Sequence, residues 1–473
     1  MDHASLTMPR RAFLGRGSIG FGATALASML PASLTGAQPA DALAGLPHFA
    51  ATAKRVIFLY MSGGPSHLEL FDPKPALTRM HLQPMPESFT RGQPIAQLQN
   101  AELKCFGPQF RFRRAGQSGQ EISELLPNIS RIADDIAIVR SMHTDQINHD
   151  PAHTVMNTGT QISGRPSMGA WITYGLGSEC DNLPGFIVLT SVGGRNPQPI
   201  SSRQWAPGFL PGRHQGVEFY SSGDPVHYVR NPPGVTRSQQ RQTIDAIREL
   251  NEIRNEQMRN PEIDTRIAQY EMAFRMQASV PELMDIASEP RHIRQMYGVE
   301  SADGSYAYNC LLARRLAERG VRFIQLYHRG WDHHDNIVGY LRQCCGLCDQ
   351  PTAALVRDFK QRGMLDDTLI IWGGEFGRTP MVQFKGSVPG RDHHIRGFSM
   401  WLAGGGIKGG VTYGATDEMG YAAVVDPVHV RDLHATMLHT LGIDHTRLTH
   451  RHQGLEMRLT GVEPARVVHE ILQ

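Results

Sequence analysis

Short, predominantly apolar runs, each ending in a polar or glycine-rich loop, constrain this chain more than any other feature. The first, Val56-Ile57-Phe58-Leu59-Tyr60, runs into Ser62-Gly63-Gly64-Pro65. Comparable runs recur at Ile136–Val139, Phe186–Leu189, Val321–Tyr327, Thr368–Trp372 and Phe398–Ala403. Helical patterns separate several of them, at Ile122–Ile132, Tyr306–Arg319, Asp349–Arg362 and Val430–Leu441. A strand that does not alternate is buried on both faces, so this succession implies an α/β fold with a mostly parallel sheet covered on each side. The charged stretch 237–289, poor in aromatics, reads as a helical insertion, and 191–216 reads as loop.

Composition narrows the function. The chain has 473 residues, with 47 basic against 45 acidic side chains, a balance that argues against nucleic acid as a partner. Residues 1–44 read as an export leader ahead of a mature domain over 45–473. Arg10-Arg11 precedes Phe13-Leu14 and a weakly apolar run rich in Gly, Ala and Ser. That run resembles a twin-arginine (Tat) signal and makes a poor permanent membrane span. The Tat export machinery is thus an expected partner, and the destination is periplasmic or secreted. An oxidising destination would let cysteines pair. However, Cys344, Cys345 and Cys348 fall in a helical pattern and read as small core residues, with a redox role as a lesser alternative.

The chain carries 22 histidines, and many gather after strand ends. Ligands of open parallel sheets sit beyond the carboxyl ends of strands. There the sequence places His67 and Asp72, then His143 and His149-Asp150-Pro151-Ala152-His153. Next come Asp332-His333-His334-Asp335-Asn336, then Glu375-Phe376-Gly377-Arg378, with Asp392-His393-His394 before the last long strand. Carboxylates mixed with imidazoles suit a divalent transition ion such as Zn, Mn or Fe. The glycine-rich stretch Gly404–Gly410 lacks phosphate-loop spacing and reads as a tight turn. His429, His434 and His439 step by five, which walks around a helix, so they read as structural.

Long phrases then resemble a known family. They are Ser62-Gly63-Gly64-Pro65-Ser66-His67, Trp372-Gly373-Gly374-Glu375-Phe376-Gly377-Arg378-Thr379-Pro380 and Phe398-Ser399-Met400-Trp401-Leu402-Ala403-Gly404-Gly405-Gly406. The chain resembles the Tat-exported bacterial family known as domain of unknown function 1501, grouped within the alkaline phosphatase/sulfatase superfamily. The resemblance implies a doubly wound sheet of alkaline phosphatase-like (sulfatase-like) type and a two-metal centre hydrolysing sulfate or phosphate esters. Asp332 fits one metal carboxylate, but Asn336 stands where a histidine is expected. Glu375 fits the next, but Phe376 replaces its histidine neighbour. His393, or else His394, fits the late histidine. The first-strand aspartate is missing, and His149 occupies the nucleophile's position.

The expectation is that Asp332, Glu375 and His393 share one divalent transition ion, with His67 and His334 as further ligands. His149 would act as nucleophile or general acid/base, and Arg378 would steady an anionic oxygen. The substrate would be a small-molecule or polymer ester. A non-catalytic envelope binding protein that keeps the fold is the competing reading.

Overall fold

The computed structural model describes residues 42–473 apart from 196, 197, 199, 221–224, 227–230, 232–233 and 259–260; most of the expected leader therefore lies outside the described residues. The six apolar runs become strands of a nine-stranded sheet, which gains three short strands the sequence did not mark. Its strands are β1 (Arg55–Ser62), β2 (Ile136–His143), β3 (Phe186–Ser191), β4 (Val217–Phe219), β5 (Phe323–Arg329), β6 (Thr368–Gly373), β7 (Phe398–Ala403), β8 (Val411–Tyr413) and β9 (Val428–His429). They lie in the order β8-β2-β7-β6-β1-β5-β3-β4, with β9 also paired to β2. Only β7 runs antiparallel to its neighbours in this sheet.

Alternation along β1 shows why the runs are apolar throughout. Ile57, Leu59 and Met61 face a core shared with α5 (Tyr306–Glu318) and α6 (Ile337–Gln361). Val56, Phe58 and Tyr60 face a second core with α1 (His149–Thr158), α2 (Met168–Leu176) and α7 (Val430–Thr440). Successive side chains point to opposite faces, so a central strand covered on both sides has no solvent face to spend on polar residues. The expected doubly wound α/β sheet is the one observed.

The insertion is a helical hairpin of α3 (Arg237–Met258) and α4 (Pro261–Met284). Arg241 ties the two helices by pairing with Glu271 at 3.0 Å. Met276, Val280 and Leu283 of α4 enter the α5–α6 core, and Arg315 of α5 donates to the Leu283 carbonyl at 2.8 Å.

One expected element is wrong. The helix expected over Ile122–Ile132 is instead the second strand of a small hairpin (Phe112–Ala115 with Gln120–Ser123), followed by a 3-10 segment from Ile129 to Asp135. Pro127 has no amide hydrogen and clashes with the preceding turn, which disfavours a helix through it; α6 carries such a residue, Pro351, only within a 25-residue helix. The Gly404–Gly406 turn is confirmed: all three have φ near +55° to +87°, and a Cβ on Gly404 would lie 2.3 Å from the Leu365 carbonyl oxygen. It lies at the end of antiparallel β7, across the sheet from the histidine-bearing loops. None of the six cysteines is paired, and burial pushes the Cys344 thiol up to about 12, which suits core residues. Among the described residues no helix is long and apolar enough to cross a membrane.

Candidate metal centre

The loops that follow β1, β2, β5 and β6, with the segment entering β7, meet at one edge of the sheet. Asp332 comes three residues after β5 and Glu375 two residues after β6. Gly63, after β1, runs so close beneath them that a Cβ there would lie 2.5 Å from the Asp332 amide nitrogen. Its own amide donates to both Glu375 carboxylate oxygens, at 3.0 and 3.2 Å. His149 is the first residue of α1. His393-His394 pairs with Gly377-Arg378 in a two-residue ladder. Neighbours on a strand point opposite ways, so His393 turns to Asp332 while His394 turns to the Tyr421 carbonyl.

Three imidazoles surround Asp332 in one pattern. His149, His334 and His393 each present Nε2 to Asp332 Oδ1, at 3.2, 3.0 and 3.3 Å. Each is anchored through Nδ1: His149 to Glu375 Oε1 at 2.6 Å, His334 to Gln383 Oε1 at 2.6 Å, and His393 to the Ile147 carbonyl at 2.9 Å. An acceptor on Nδ1 can hold a proton there, so that Nε2, facing Asp332, is the nitrogen each ring can offer to an ion. The four ligand-capable atoms lie within 4.8 Å of one another.

Electrostatics follow from this arrangement. Burial opposes charge on Asp332, yet Arg378 beside it and the three imidazoles hold its carboxyl well below the usual carboxylate range. Burial alone would raise Glu375, but His153 and His149 bring its carboxyl down to about 2. Burial also works against a charged His149, and the two flanking carboxylates overcome it and raise its pKa. At His393 burial dominates and lowers the pKa to about 4.

Several expectations need correction. Glu375 does not join Asp332 and His393. It belongs to a second ligand-capable group with His149 and His153, and reaches the first only through His149. Its carboxylate is held down by the Gly63 amide, which fixes it on the far side of the His149 ring. His67 is in neither group, because its Nε2 is bonded to the Gly420 carbonyl at 2.9 Å. Arg378 is fully buried and its donors are committed. Nε serves Gly64 O at 2.9 Å, Nη1 serves Arg391 O at 3.1 Å, and Nη2 serves Gly63 O and Asp332 Oδ1, the latter at 2.7 Å. It secures Asp332 and the surrounding loops.

Asn336 caps α6 by accepting from the Gly339 amide, at φ 39°. Phe376 packs its ring against His149 and His393, with centroids 4.9 and 4.8 Å apart. Two contributors received no role from the sequence: His153, noted only within the cluster after β2, and Gln198. His153 bonds Tyr60 Oη at 2.7 Å beneath Glu375, and its i, i+4 spacing from His149 on one helix face was a usable signal. Gln198 donates to Asp332 Oδ2 at 2.7 Å from a loop with no pattern to mark it.

No curated protein sequence matches the chain. Among solved structures it is similar to a phosphonate monoester hydrolase from Silicibacter pomeroyi, at 10% identity over 89% of this chain and 76% of that one, with a TM-score of 0.34. It is also similar to a lipoteichoic acid synthase from Listeria monocytogenes (9% identity, 88% and 77%, TM-score 0.35). A third similar structure is a sulfatase from Pseudoalteromonas sp. (13% identity, 83% and 68%, TM-score 0.35). The family described as "Protein of unknown function (DUF1501)" matches residues 53–472, and the chain belongs to that family.

Proposed function

We propose that this protein is an exported, metal-dependent hydrolase of sulfate or phosphate esters, with one divalent transition ion held by His149, Asp332, His334 and His393. The observation that carries this reading is the convergence of three Nδ1-anchored imidazoles on one carboxylate oxygen. The residues fit an ion on their own chemistry. His334 Nε2 and His393 Nε2 lie 2.9 Å apart. With both rings protonated on Nδ1, the tautomer their Nδ1 acceptors favour, two lone pairs would face each other and call for a cation between them. Once an ion displaces the proton that the two carboxylates favour on His149, three imidazoles and one carboxylate form a borderline donor set suited to Zn, Mn or Fe.

Such an ion would supply Lewis-acid polarisation of an ester oxygen and a lowered pKa for bound water. The chain's own residues do the rest. Glu375 orients His149 and keeps its proton on Nδ1. Gln383 and the Ile147 carbonyl do the same for His334 and His393. Arg378 keeps Asp332 ionised, and Phe376 shields the ring faces of His149 and His393 from water. A carboxylate behind a ligand histidine typically sharpens metal affinity by about 10- to 100-fold.

Protein recovered after export in its native host, without chelator, should carry close to one transition ion per chain by elemental analysis. It should hydrolyse at least one of p-nitrophenyl sulfate, p-nitrophenyl phosphate, its diester or a phosphonate monoester, and lose that activity on chelation. Absence of stoichiometric metal sinks the reading. Export is proposed to use the Tat route through Arg10-Arg11, so changing both to lysine should retain the protein in the cytoplasm.

One observation favours the second reading, a non-catalytic binding protein. Both Asp332 oxygens are already engaged, Oδ1 by Arg378 and Oδ2 by Gln198. Stoichiometric metal without turnover of any of these esters would select it.

A further inference from the structure

Beside the metal centre lies a cavity of about 510 Å³, within the range of small-molecule sites. Arg329, Trp205, Ser202, Thr190 and Glu218 are among the residues that line it. Arg329 is the last residue of β5, and three residues on comes Asp332; the two Cα atoms can be no more than about 11 Å apart. The cavity and the centre also share a wall. The segment that brings Gln198 to Asp332 continues into Ser202–Trp205, which packs on α1, and Arg203 is paired with Asp150 next to His149.

Arg329 is the unusual residue. Other arginines near this edge are paired, the buried Arg378 by Asp332 and carbonyls, the buried Arg391 by Glu69, and the exposed Arg203 by Asp150. Arg329 Nε is buried without a hydrogen-bond partner, and among the described residues no carboxylate pairs with the guanidinium. Glu218, in the same cavity, accepts from Thr190 Oγ1 at 3.0 Å instead. An unpaired guanidinium in a partly dry site costs stability, and a planar fork of donors matches carboxylate, sulfate and phosphate oxygens. Trp205, 5% exposed, offers an apolar wall, while Ser202 and Glu218 can accept from hydroxyl groups.

We propose that this cavity binds a hydroxylated organic anion, an acidic sugar unit of the substrate, with its anionic group on Arg329 and hydroxyls toward Glu218 and Ser202. This rests on the hydrolase reading only for its purpose: the unit held here would present the adjoining ester to the Asp332 centre. The binding itself needs no ion.

That independence sets the test. Isothermal titration calorimetry compares glucose 6-sulfate, glucose 6-phosphate and glucuronate with glucose and inorganic sulfate, on chelator-treated and zinc-loaded full-length protein. At least one charged sugar should bind saturably to both forms, and at least tenfold more tightly than glucose. Arg329→Ala should weaken it by about tenfold or more, with Arg329→Lys between. Arg329→Gln replaces the alanine variant should that one fail to fold. Which of the three sugars binds best identifies the anion. Equal binding by Arg329→Ala, no preference over glucose, or no saturable binding overturns the proposal. So does binding that appears only with zinc and ignores Arg329; that outcome leaves the metal centre standing. Loss of the metal centre with Arg329-dependent binding intact would overturn only the hydrolase reading.

Discussion

Two pairs of adjacent histidines, His333-His334 and His393-His394, each divide between two environments. His334 and His393 present Nε2 to Asp332 and anchor Nδ1. His333 and His394 do the reverse: Nε2 goes to the carbonyls of Gly330 and Tyr421. His67 and His434 follow the second pattern, on Gly420 O and Met156 O, and Nδ1 of His67, His394 and His434 has no hydrogen-bond partner. Burial lowers His333 and His394 to about 3 and His434 to about 4, so these rings are neutral core parts that satisfy a carbonyl. A buried imidazole becomes ligand-capable here when its outer nitrogen is tied down and its inner one meets a carboxylate. The number of histidines says little; the nitrogen that is anchored says most.

The sharpest way to break this comparison is to remove the carboxylate. Asp332→Asn should abolish bound metal by elemental analysis. It also leaves Arg378 buried without its counter-charge, so the unfolding free energy from denaturant titration should fall by about 3–5 kcal/mol. A variant that keeps full metal and wild-type stability would show that Asp332 organises nothing.

Next comes the contrast within one pair. His393→Ala should strip most of the metal while the fold survives, because a surrounding core of this size tolerates one lost contact. His394→Ala should keep the metal and cost about 1–3 kcal/mol, since the Tyr421 carbonyl is left without its donor. Reversal of the two outcomes would exchange the roles assigned to the two faces of the ladder.

Glu375 tests whether the anchoring partner matters. Glu375→Gln should weaken metal binding by roughly 10- to 100-fold without removing it, while a true ligand loss would remove it. The cobalt-loaded visible spectrum of Glu375→Gln should keep the wild-type coordination number. A change in coordination number would restore Glu375 as a direct ligand.

The fold was legible because strands covered on both faces must be apolar throughout, and Val56–Tyr60 or Phe398–Ala403 could hardly be anything else. Ile122–Ile132 misled because its apolar spacing suits a helix as well as a strand followed by a 3-10 turn, and only Pro127 argued otherwise. At the site, the sequence marked which loops meet but not which way each side chain turns. Asp332, His334 and His393 converge, whereas Glu375 stops one ring short and His67 is taken by the Gly420 carbonyl, 353 residues along the chain and unmarked by any local pattern. Side-chain direction depends on register: one residue along the 393–394 ladder separates a ligand-capable histidine from a core histidine. Gln198 was invisible because a loop glutamine carries no periodicity at all.

The last contrast is read as a slope against pH. His434 is wholly buried, with Nε2 donating to the Met156 carbonyl at 2.8 Å, and burial lowers its pKa from 6.5 to about 4. The folded protein therefore resists protonation that the unfolded chain accepts. Above pH 6.5 the ring is neutral in both states and contributes no pH dependence. As pH falls from 6.5 toward 4 the unfolded state binds the extra proton, so stability drops by up to about 1.4 kcal/mol per pH unit from this group. Below about pH 4 both states are protonated and the slope vanishes. His434→Gln keeps a donor for the carbonyl but cannot titrate. Its stability measured from pH 7 to pH 4 should decline less steeply than wild type, with the curves diverging only below pH 6.5. Parallel curves would mean that His434 is protonated in the fold, and that a carbonyl on Nε2 does not by itself mark a neutral core histidine.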